Sequence, residues 1–507
     1  MRKFVLAAVV LFPLVVFNSS AGDFILNLDD SIYNVRDLNI PSPRMAQQEI
    51  KANFKKLPRK KWTIMVFING KNDLEIAGLF NVNQMEAVGS DENINIVVEL
   101  GRMKGQQGDT ELDGNWTGSR RLFIKKDDDG EKITSPIVME TQNVDMGDYK
   151  RVADFVKWSK ENFPAKRYML VLWDHGTGWL DPQMEKMPEV GKGISFDSET
   201  GNYIRTRQIA EILKEAGKVD ILAFDACLMQ MIEVAYESRD YADVIIGSEE
   251  VEPAYGYPYD IFLKVLEKYP TLNATEFSKV IVMAHKKFYR DLVKKASMLS
   301  AVKAKNLKKF AKLSGEFASL VMKVNDTEAV QNARKEVIRY DILGPKSDPN
   351  KTITFFGDLI HFAKLVSSNL TKTGSHASAL KDKVRELAEF GRDKLFTDYY
   401  GTGNERTGKA LSISGGISVY LPPVETKISQ EKLEGIFEGK YEDFAFSKAS
   451  GWHDFATYIY NIKPEPQETA EKSKCVDPGK DATFQEKLKY RLCKNREEFE
   501  ATHSVNK

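Results

Sequence analysis

Hydrophobic positions along this chain fall into short solid runs separated by longer amphipathic stretches. WTIMVFING (62–70), NINIVVELG (93–101), YMLVLWDHG (168–176), VDILAFDAC (219–227) and DVIIGS (243–248) are rich in Val and Ile and show no polar alternation, the pattern of strands buried on both faces. Between them the apolar positions recur at helical spacing. Residues 145–163 carry Val152, Phe155 and Val156 on one face, and residues 206–216 carry Ile209, Ile212 and Leu213 and stop at Gly217. Strands alternating with helices predict an α/β fold with a mostly parallel sheet. The segment 108–140, centred on DDDG, reads as an inserted β-hairpin whose Asp run is a solvated turn.

Beyond about residue 270 the periodicity is helical and Lys-rich, through 325 and again over 378–396. SMLSAV (297–302) and ISGGISVYLP (413–422) interrupt it and are expected to return to the sheet. The chain accordingly divides into an N-terminal segment (22–60) that is a linker or pro-segment, a catalytic-type core (61–270), a helix-rich region completing the sheet (271–462), and a polar tail (463–507). Arg2 and Lys3 precede an apolar run of 14 residues, Phe4 to Phe17, followed by Ser19-Ser20-Ala21. This predicts a cleaved signal peptide over 1–21 and a secreted or periplasmic protein. No apolar stretch reaches the ~20 residues of a spanning helix, so stable membrane insertion is not expected.

Composition narrows the partners. Lys plus Arg and Asp plus Glu each number 73, so no net charge favours nucleic acid. Export bears on the three cysteines. Cys475 and Cys493 share the polar tail and are expected to pair, a closure contributing about 3 kcal/mol in the chain-entropy model. Cys227 is left over.

Motifs for other chemistries fail. GNERTGKA (403–410) has phosphate-loop spacing, but Ala410 replaces the magnesium-binding hydroxyl, and the segment precedes a strand instead of following one. The six histidines are scattered without an HExxH pair, no metal site is expected from them, and no GxSxG elbow occurs. What remains is His175 and Cys227 at the carboxyl ends of consecutive predicted strands, where open parallel sheets bind ligands. If the strands are neighbours, a thiolate and an imidazole meet there, the arrangement of a cysteine peptidase. The N–H groups of Gly176 and Cys227 are then candidates for an oxyanion hole. The alternative is a buried, inert cysteine and a hydrogen-bonded structural histidine. Asp225 beside the thiol would make it a poorer nucleophile by raising its pKa. A second reading has it cap a helix starting near Leu228.

LVLWDHGTGW (170–179) and DILAFDACLMQMIEVAYE (220–237) resemble the two catalytic blocks of the clostripain-like cysteine peptidases, relatives of the caspases. KKWTIMVFINGKNDLE (60–75), Arg120-Arg121 and GGISVYLP (415–422) extend the resemblance from about Lys61 to Pro423. It implies a caspase-like α/β/α sandwich, a His175–Cys227 dyad, and protein or peptide substrates cleaved after Arg or Lys, with Asp225 receiving the basic side chain. It also implies a precursor cut between the two blocks, in DPQMEKMPEVGKGISFD (181–197), where Lys186 and Lys192 are the basic candidates. No cofactor is required by the chemistry. Some family members depend on calcium, and Asp197 and Glu199 are possible oxygen ligands here. The chain departs from the family after the first strand, where relatives usually carry an Asp-Asn-containing segment and this chain reads Gly70-Lys71-Asn72-Asp73-Leu74; a Lys near a pocket for basic side chains is expected to repel them. A non-catalytic binding protein on the same scaffold is the alternative.

Overall fold

The computed structural model describes residues 58–179, 193–342, 353–403, 410–424 and 438–462, together with Tyr490 and Lys494. The signal sequence, Lys186 and Lys192, most of the GNERTGKA segment, and Cys475 and Cys493 lie outside the described residues. By its contacts the chain divides into Met1–Asn461 and Ile462–Lys507. The first unit contains everything below.

Five parallel strands form the centre of a nine-stranded sheet. They are β1 (Lys60–Gly70), β2 (Ile94–Arg102), β5 (Ala165–Trp173), β6 (Val219–Asp225) and β7 (Ala242–Gly247). Two antiparallel strands flank each side: β3 (Gly118–Phe123) and β4 (Ile137–Thr141) next to β2, and β8 (Ser297–Lys303) and β11 (Phe396–Thr402) next to β7. The order β11-β8-β7-β6-β5-β1-β2-β3-β4 makes β1 and β5 neighbours whose onward connections run in opposite directions. The crevice outside their carboxyl ends is therefore the expected ligand site.

Every residue of β2 is buried, and so is every residue of β6 except Asp220. Covering both faces of the sheet with helices produces this. Ile64, Val66 and Ile68 of β1 join the core formed with Leu79, Val82 and Met85 of α1 (Glu75–Glu86), Phe262 and Leu263 of α5 (Tyr259–Lys268), and Phe277 and Ile281 of α6 (Ala274–Lys287). On the opposite face Phe67 meets Phe155 of α2 (Tyr149–Asn162), their ring centroids 6.0 Å apart. Beside α2, helix α3 (Thr206–Ala216) buries Ile209, Ile212 and Leu213, each worth roughly 2 kcal/mol relative to exposure. Gly217, at φ +82°, ends it as its position in the sequence implies.

The late strand-like segments behave differently from one another. SMLSAV becomes β8 of the main sheet. ISGGISVYLP does not return to it: its strand β12 (Ser418–Tyr420) joins β10 (Ile353–Asp358) and β9 (Arg339–Ile342) in a separate antiparallel sheet of three. That sheet docks on the segment following β6, through Ser418 N–H to Gln230 O (3.1 Å) and Tyr420 N–H to Glu233 Oε1 (2.9 Å). The helix expected over 378–396 runs from Ser375 to Phe390, after which a π-turn leads into β11. Among the described residues no helix is long and apolar enough to cross a membrane.

Candidate active site

Strands β5 and β6 are hydrogen-bonded neighbours in parallel register, with Trp173 opposite Asp225. His175 and Cys227 therefore lie two residues beyond the same rung of the ladder. Asp174 N–H donates to Asp225 O (3.3 Å), continuing the pairing one step past the strand end. Gly176 packs directly on the cysteine: a methyl group on its α-carbon would come 2.2 Å from Cys227 O. No side chain fits there, so glycine is required by the close approach. After Cys227 the chain turns at Leu228, whose φ of +60° is costly for a branched residue. Residues 228–230 then run beside the end of β7, with Leu228 N–H to Glu250 O (3.3 Å) and Gln230 N–H to Ser248 O (2.9 Å).

The Cys227 thiol is half-buried. The main-chain N–H of Glu252 points at Sγ (3.2 Å), and a donor aimed at sulfur favours the thiolate. His175 is 16% exposed, and its Nε2 lies 2.8 Å from Asp73 Oδ1. An ionised carboxylate only accepts, so this contact puts the ring proton on Nε2 and leaves Nδ1 as the basic nitrogen.

Asp73 sits in the turn after β1, the Gly70–Leu74 segment, which is tied down on several sides. Asn72 Nδ2 donates to Asp174 Oδ1 (2.7 Å), to Phe196 O (3.0 Å) and to Asn69 O (3.3 Å), and Asn72 Oδ1 accepts from Leu74 N–H (2.9 Å). Asp174 is itself buried, and that burial pushes its carboxyl up to about 7.

Lys71 does not face a substrate crevice. It is fully buried, its ammonium 3.0 Å from Asp197 Oδ2, paired also with Glu199, and donating to Val144 O (2.6 Å). The expected repulsion of basic substrates is thereby removed, because the charge is neutralised at its own partners. The same ammonium sits among the oxygens that were candidate calcium ligands, so that donor set does not fit a metal ion. Asp197 completes its bonds with main-chain N–H groups of Met146, Glu199 and Thr200.

Asp225, on the last residue of β6, is 4% exposed. It caps no helix: α4 (Ile232–Glu237) begins five residues beyond Cys227, with Met231 before it. Its Oδ2 accepts from Tyr257 N–H (3.0 Å) and Tyr259 OH (2.9 Å). Among the described residues no donor reaches Oδ1. Burial pushes the carboxyl up to about 7, and those two hydrogen bonds hold it from rising further. Gly256 forms the wall over it, where a Cβ would meet both carboxylate oxygens at 2.8 and 2.9 Å.

The structure thus brings together His175, Gly176, Asp225 and Cys227 of the residues singled out in the sequence, and adds Asp73 and Glu252. Asp73 had one available signal, an acid in the turn leaving the first strand of a parallel sheet. Glu252 had none, since it acts through its main chain and lies on a loop after β7.

This constellation sits on a chain of recognisable kin. A sequence model of the Clostripain family (peptidase C11) matches residues 66–461. Clostripain of Hathewaya histolytica is 26% identical over 231 residues, 42% of this chain and 43% of its own, so the match spans less than half of that relative. A secreted C11 cysteine protease from Bacteroides thetaiotaomicron, solved with an irreversible peptide inhibitor, aligns with a TM-score of 0.55 at 20% identity, over 78% of this chain and 99% of that one. An inactive zymogen C11 protease from Parabacteroides distasonis gives 0.56 at 19% identity, with the same 78% and 99%. At such identities the likeness is one of fold, the caspase-like α/β/α sandwich. With the family's sequence model covering most of the molecule, the chain belongs to the clostripain family of cysteine peptidases.

Proposed function

We propose that this chain is an exported cysteine endopeptidase that cleaves peptide bonds after Arg or Lys, with Cys227 as nucleophile and His175 as acid–base. The observation that carries this reading is the meeting of three strand ends: Asp73 after β1 holds the imidazole after β5, and the thiol after β6 receives a main-chain N–H from Glu252.

His175 Nδ1 takes the thiol proton, and the thiolate attacks the scissile carbonyl carbon. Charge developing on the carbonyl oxygen is met by the N–H groups of Gly176 and Cys227, the former without an acceptor among the described residues. The imidazolium then protonates the departing amine, leaving a thioester on Cys227. Water, deprotonated by the same imidazole, hydrolyses it and restores the thiol. Throughout, Asp73 keeps the ring oriented and compensates its positive charge. Asp225 Oδ1 supplies the acceptor for the substrate's cationic side chain, and the basic preference fits the relation to clostripain.

The finer parts of the reading have their own supports. Residues 1–21 have the layout of a signal peptide, and a neighbour in fold is a secreted protease. Another neighbour is a zymogen, in keeping with self-cleavage at Lys186 or Lys192 in the Pro- and Gly-containing segment between the two motifs. Cys475 and Cys493 pair in the tail. Lys71 supplies the positive charge that Asp197 and Glu199 need, so the enzyme works without calcium there.

Fluorogenic peptides ending in Arg, Lys or Asp test the activity. Wild type cleaves the first two, Cys227→Ala none, and Asp225→Ala loses the preference for basic residues. Equal rates for wild type and Cys227→Ala would leave a non-catalytic binding protein on this scaffold. Incubating both full-length proteins tests self-cleavage: identical intact bands remove it.

A further inference from the structure

Gly415 and Gly416, at the entry to β12, close over two buried carboxyl groups that belong to different sheets. Asp358 ends β10 and Glu249 lies two residues beyond β7; both are wholly buried. The Gly415 N–H donates to Asp358 Oδ2 and the Gly416 N–H to Glu249 Oε2 (3.1 Å). A methyl group on Gly415 would come 2.8 Å from Asp358 Oδ1, so only glycine lets the main chain approach this far. The two acids are hydrogen-bonded to each other. A carboxylate cannot donate, so that bond requires one proton between them. Asp358 is the anion: it begins the helix Leu359–Ser368, and its Oδ1 accepts from the His361 N–H (2.6 Å), where a helix N-terminus favours negative charge. Glu249 carries the proton, because burial and then the charge of Asp358 push its carboxyl well up.

The groups around this proton supply no countercharge. From β9, the Tyr340 hydroxyl lies 2.6 Å from Ser414 Oγ and 3.5 Å from Asp358 Oδ2, and it also reaches Glu249. Arg339 on the same strand donates to Leu421 O (2.6 Å). His361 presents its main-chain N–H, while its ring Nδ1 accepts from Ile338 N–H (3.1 Å). Glu250 Oε1 accepts from Val251 N–H (2.7 Å), and from β8 Ser300 Oγ donates to Gly416 O (2.6 Å). Among the described residues no cation pairs with either acid. What the pair joins bears on the nucleophile. Glu249 sits in the strip 248–252, whose carbonyls accept from Gln230 and Leu228 and whose Glu252 N–H meets Cys227 Sγ. Asp358 sits in the three-stranded sheet, which reaches both motifs. Its Ser418 bonds Gln230 O (3.1 Å), its Tyr420 ring lies 5.4 Å from that of Trp179, and its Phe356 would be 3.4 Å from a methyl group on Gly178.

We propose that the proton shared by Glu249 and Asp358 makes these two acids positioning residues for the nucleophile: it fastens the three-stranded sheet to the strip after β7, and its loss in alkaline solution lowers kcat by freeing the turn that follows Cys227. This rests on the peptidase reading above. With the proton gone, two buried charges face each other without a cation, a state relieved by separation or hydration. Asp358 stays with its helix and the Gly415 N–H, and Glu249 moves away with its strip. The Ser418 bond to Gln230 then loses its backing, and the turn at Leu228, held at φ +60°, relaxes. Sγ and the N–H groups of Gly176 and Cys227 fall out of alignment. That costs the transition state more than the bound substrate, so kcat falls and KM changes little.

The experiment uses full-length wild type, Glu249→Gln and Glu249→Ala on the best-cleaved peptide of the Arg, Lys and Asp set, from pH 6 to pH 9.5. Glu249→Gln keeps a donor toward Asp358 and cannot ionise, and dividing its kcat by that of wild type at each pH cancels the titration of His175 and Cys227. That ratio is expected to rise about fivefold or more between pH 7 and pH 9.5. At pH 7, Glu249→Ala is expected to lose about tenfold in kcat with KM within about threefold, and Glu249→Gln to recover most of the loss. Hydrogen exchange on wild type, corrected for the intrinsic effect of pH, needs no variant to fold. The main-chain N–H groups of residues 415–420 should lose about tenfold in protection between pH 7 and pH 9.5, while those of β1 and β2 keep theirs. A flat kcat ratio overturns the proposal, and so does equal protection of 415–420 at the two pH values. Failure of the peptidase reading looks different: wild type then cleaves no peptide of the set at any pH.

Discussion

Asp73 and His175 are joined by a 2.8 Å contact from carboxylate Oδ1 to ring Nε2, across the boundary between β1 and β5. A side chain from the first motif of the domain thereby sets the tautomer of the histidine in the second. The Asn72 bonds to Asp174 and Phe196 keep the turn from moving independently of that ring.

Replacing Asp73 with Ala is expected to lower kcat by about 10²-fold or more, the scale of a positioned acid–base group, with a much smaller change in KM. Asp73→Asn keeps an acceptor oxygen and recovers part of the loss, but its acid limb moves because the imidazolium has lost a countercharge. Steady-state kinetics across pH decide it; equal kcat in all three proteins removes Asp73 from the mechanism.

Asp225 carries a pH signature that can be separated from that of the dyad. With its carboxyl pushed up to about 7, the fraction able to receive a cation grows about tenfold per pH unit below that value and levels above it. The ratio of kcat/KM for an Arg peptide to that for a Gln peptide cancels the contribution of His175 and Cys227. It should climb from pH 5 to 7 and then flatten. A ratio constant over that range excludes Asp225 as the receptor.

Thermal unfolding probes Lys71. A chelator should leave the melting temperature of the wild type unchanged. Lys71→Ala strands the Asp197 charge and is expected to cost about 3–5 kcal/mol, part of which millimolar calcium restores. A fall in the wild-type melting temperature on adding chelator contradicts the role of the ammonium.

Glu233 offers a stability test away from the chemistry. Buried in α4, it accepts from Tyr420 N–H (2.9 Å) and Tyr441 OH (2.7 Å), and burial pushes it up to about 7 from an ordinary 4.5. The folded state thus holds this proton over a range where the unfolded chain has lost it. Its contribution is fully present below about 4.5 and is lost as pH rises to about 7, roughly 3 kcal/mol in all. Glu233→Gln cannot ionise. Denaturant unfolding at pH 5 and pH 8 should show the variant gaining on wild type by about that amount at the higher pH; the same difference at both sinks the assignment.

The central strands were legible because burial on both faces leaves an unmistakable apolar run, and His175 and Cys227 were legible because each ends one. Strand β11 was not: FTDYYGT is laced with polar residues, as an edge strand facing water permits, and it follows a helix without a clear break. The destination of ISGGISVYLP was hidden for another reason. A short apolar strand carries no mark of which sheet it joins. Lys71 misled because its charge is the property visible in sequence, whereas its effect depends on Asp197 and Glu199 far along the chain. Asp225 read as a helix cap only while the turn at Leu228 was unknown.

The contact between Gly176 and the Cys227 carbonyl also says what a cut chain would keep. β1, β2 and β5 lie on one side of the cut and β6 on the other, paired to β5 in the ladder, and Gly176 packs against the Cys227 carbonyl across that seam. Severing the backbone between the two motifs leaves two polypeptides zipped edge to edge, which heat or denaturant must separate before the catalytic pair can be parted.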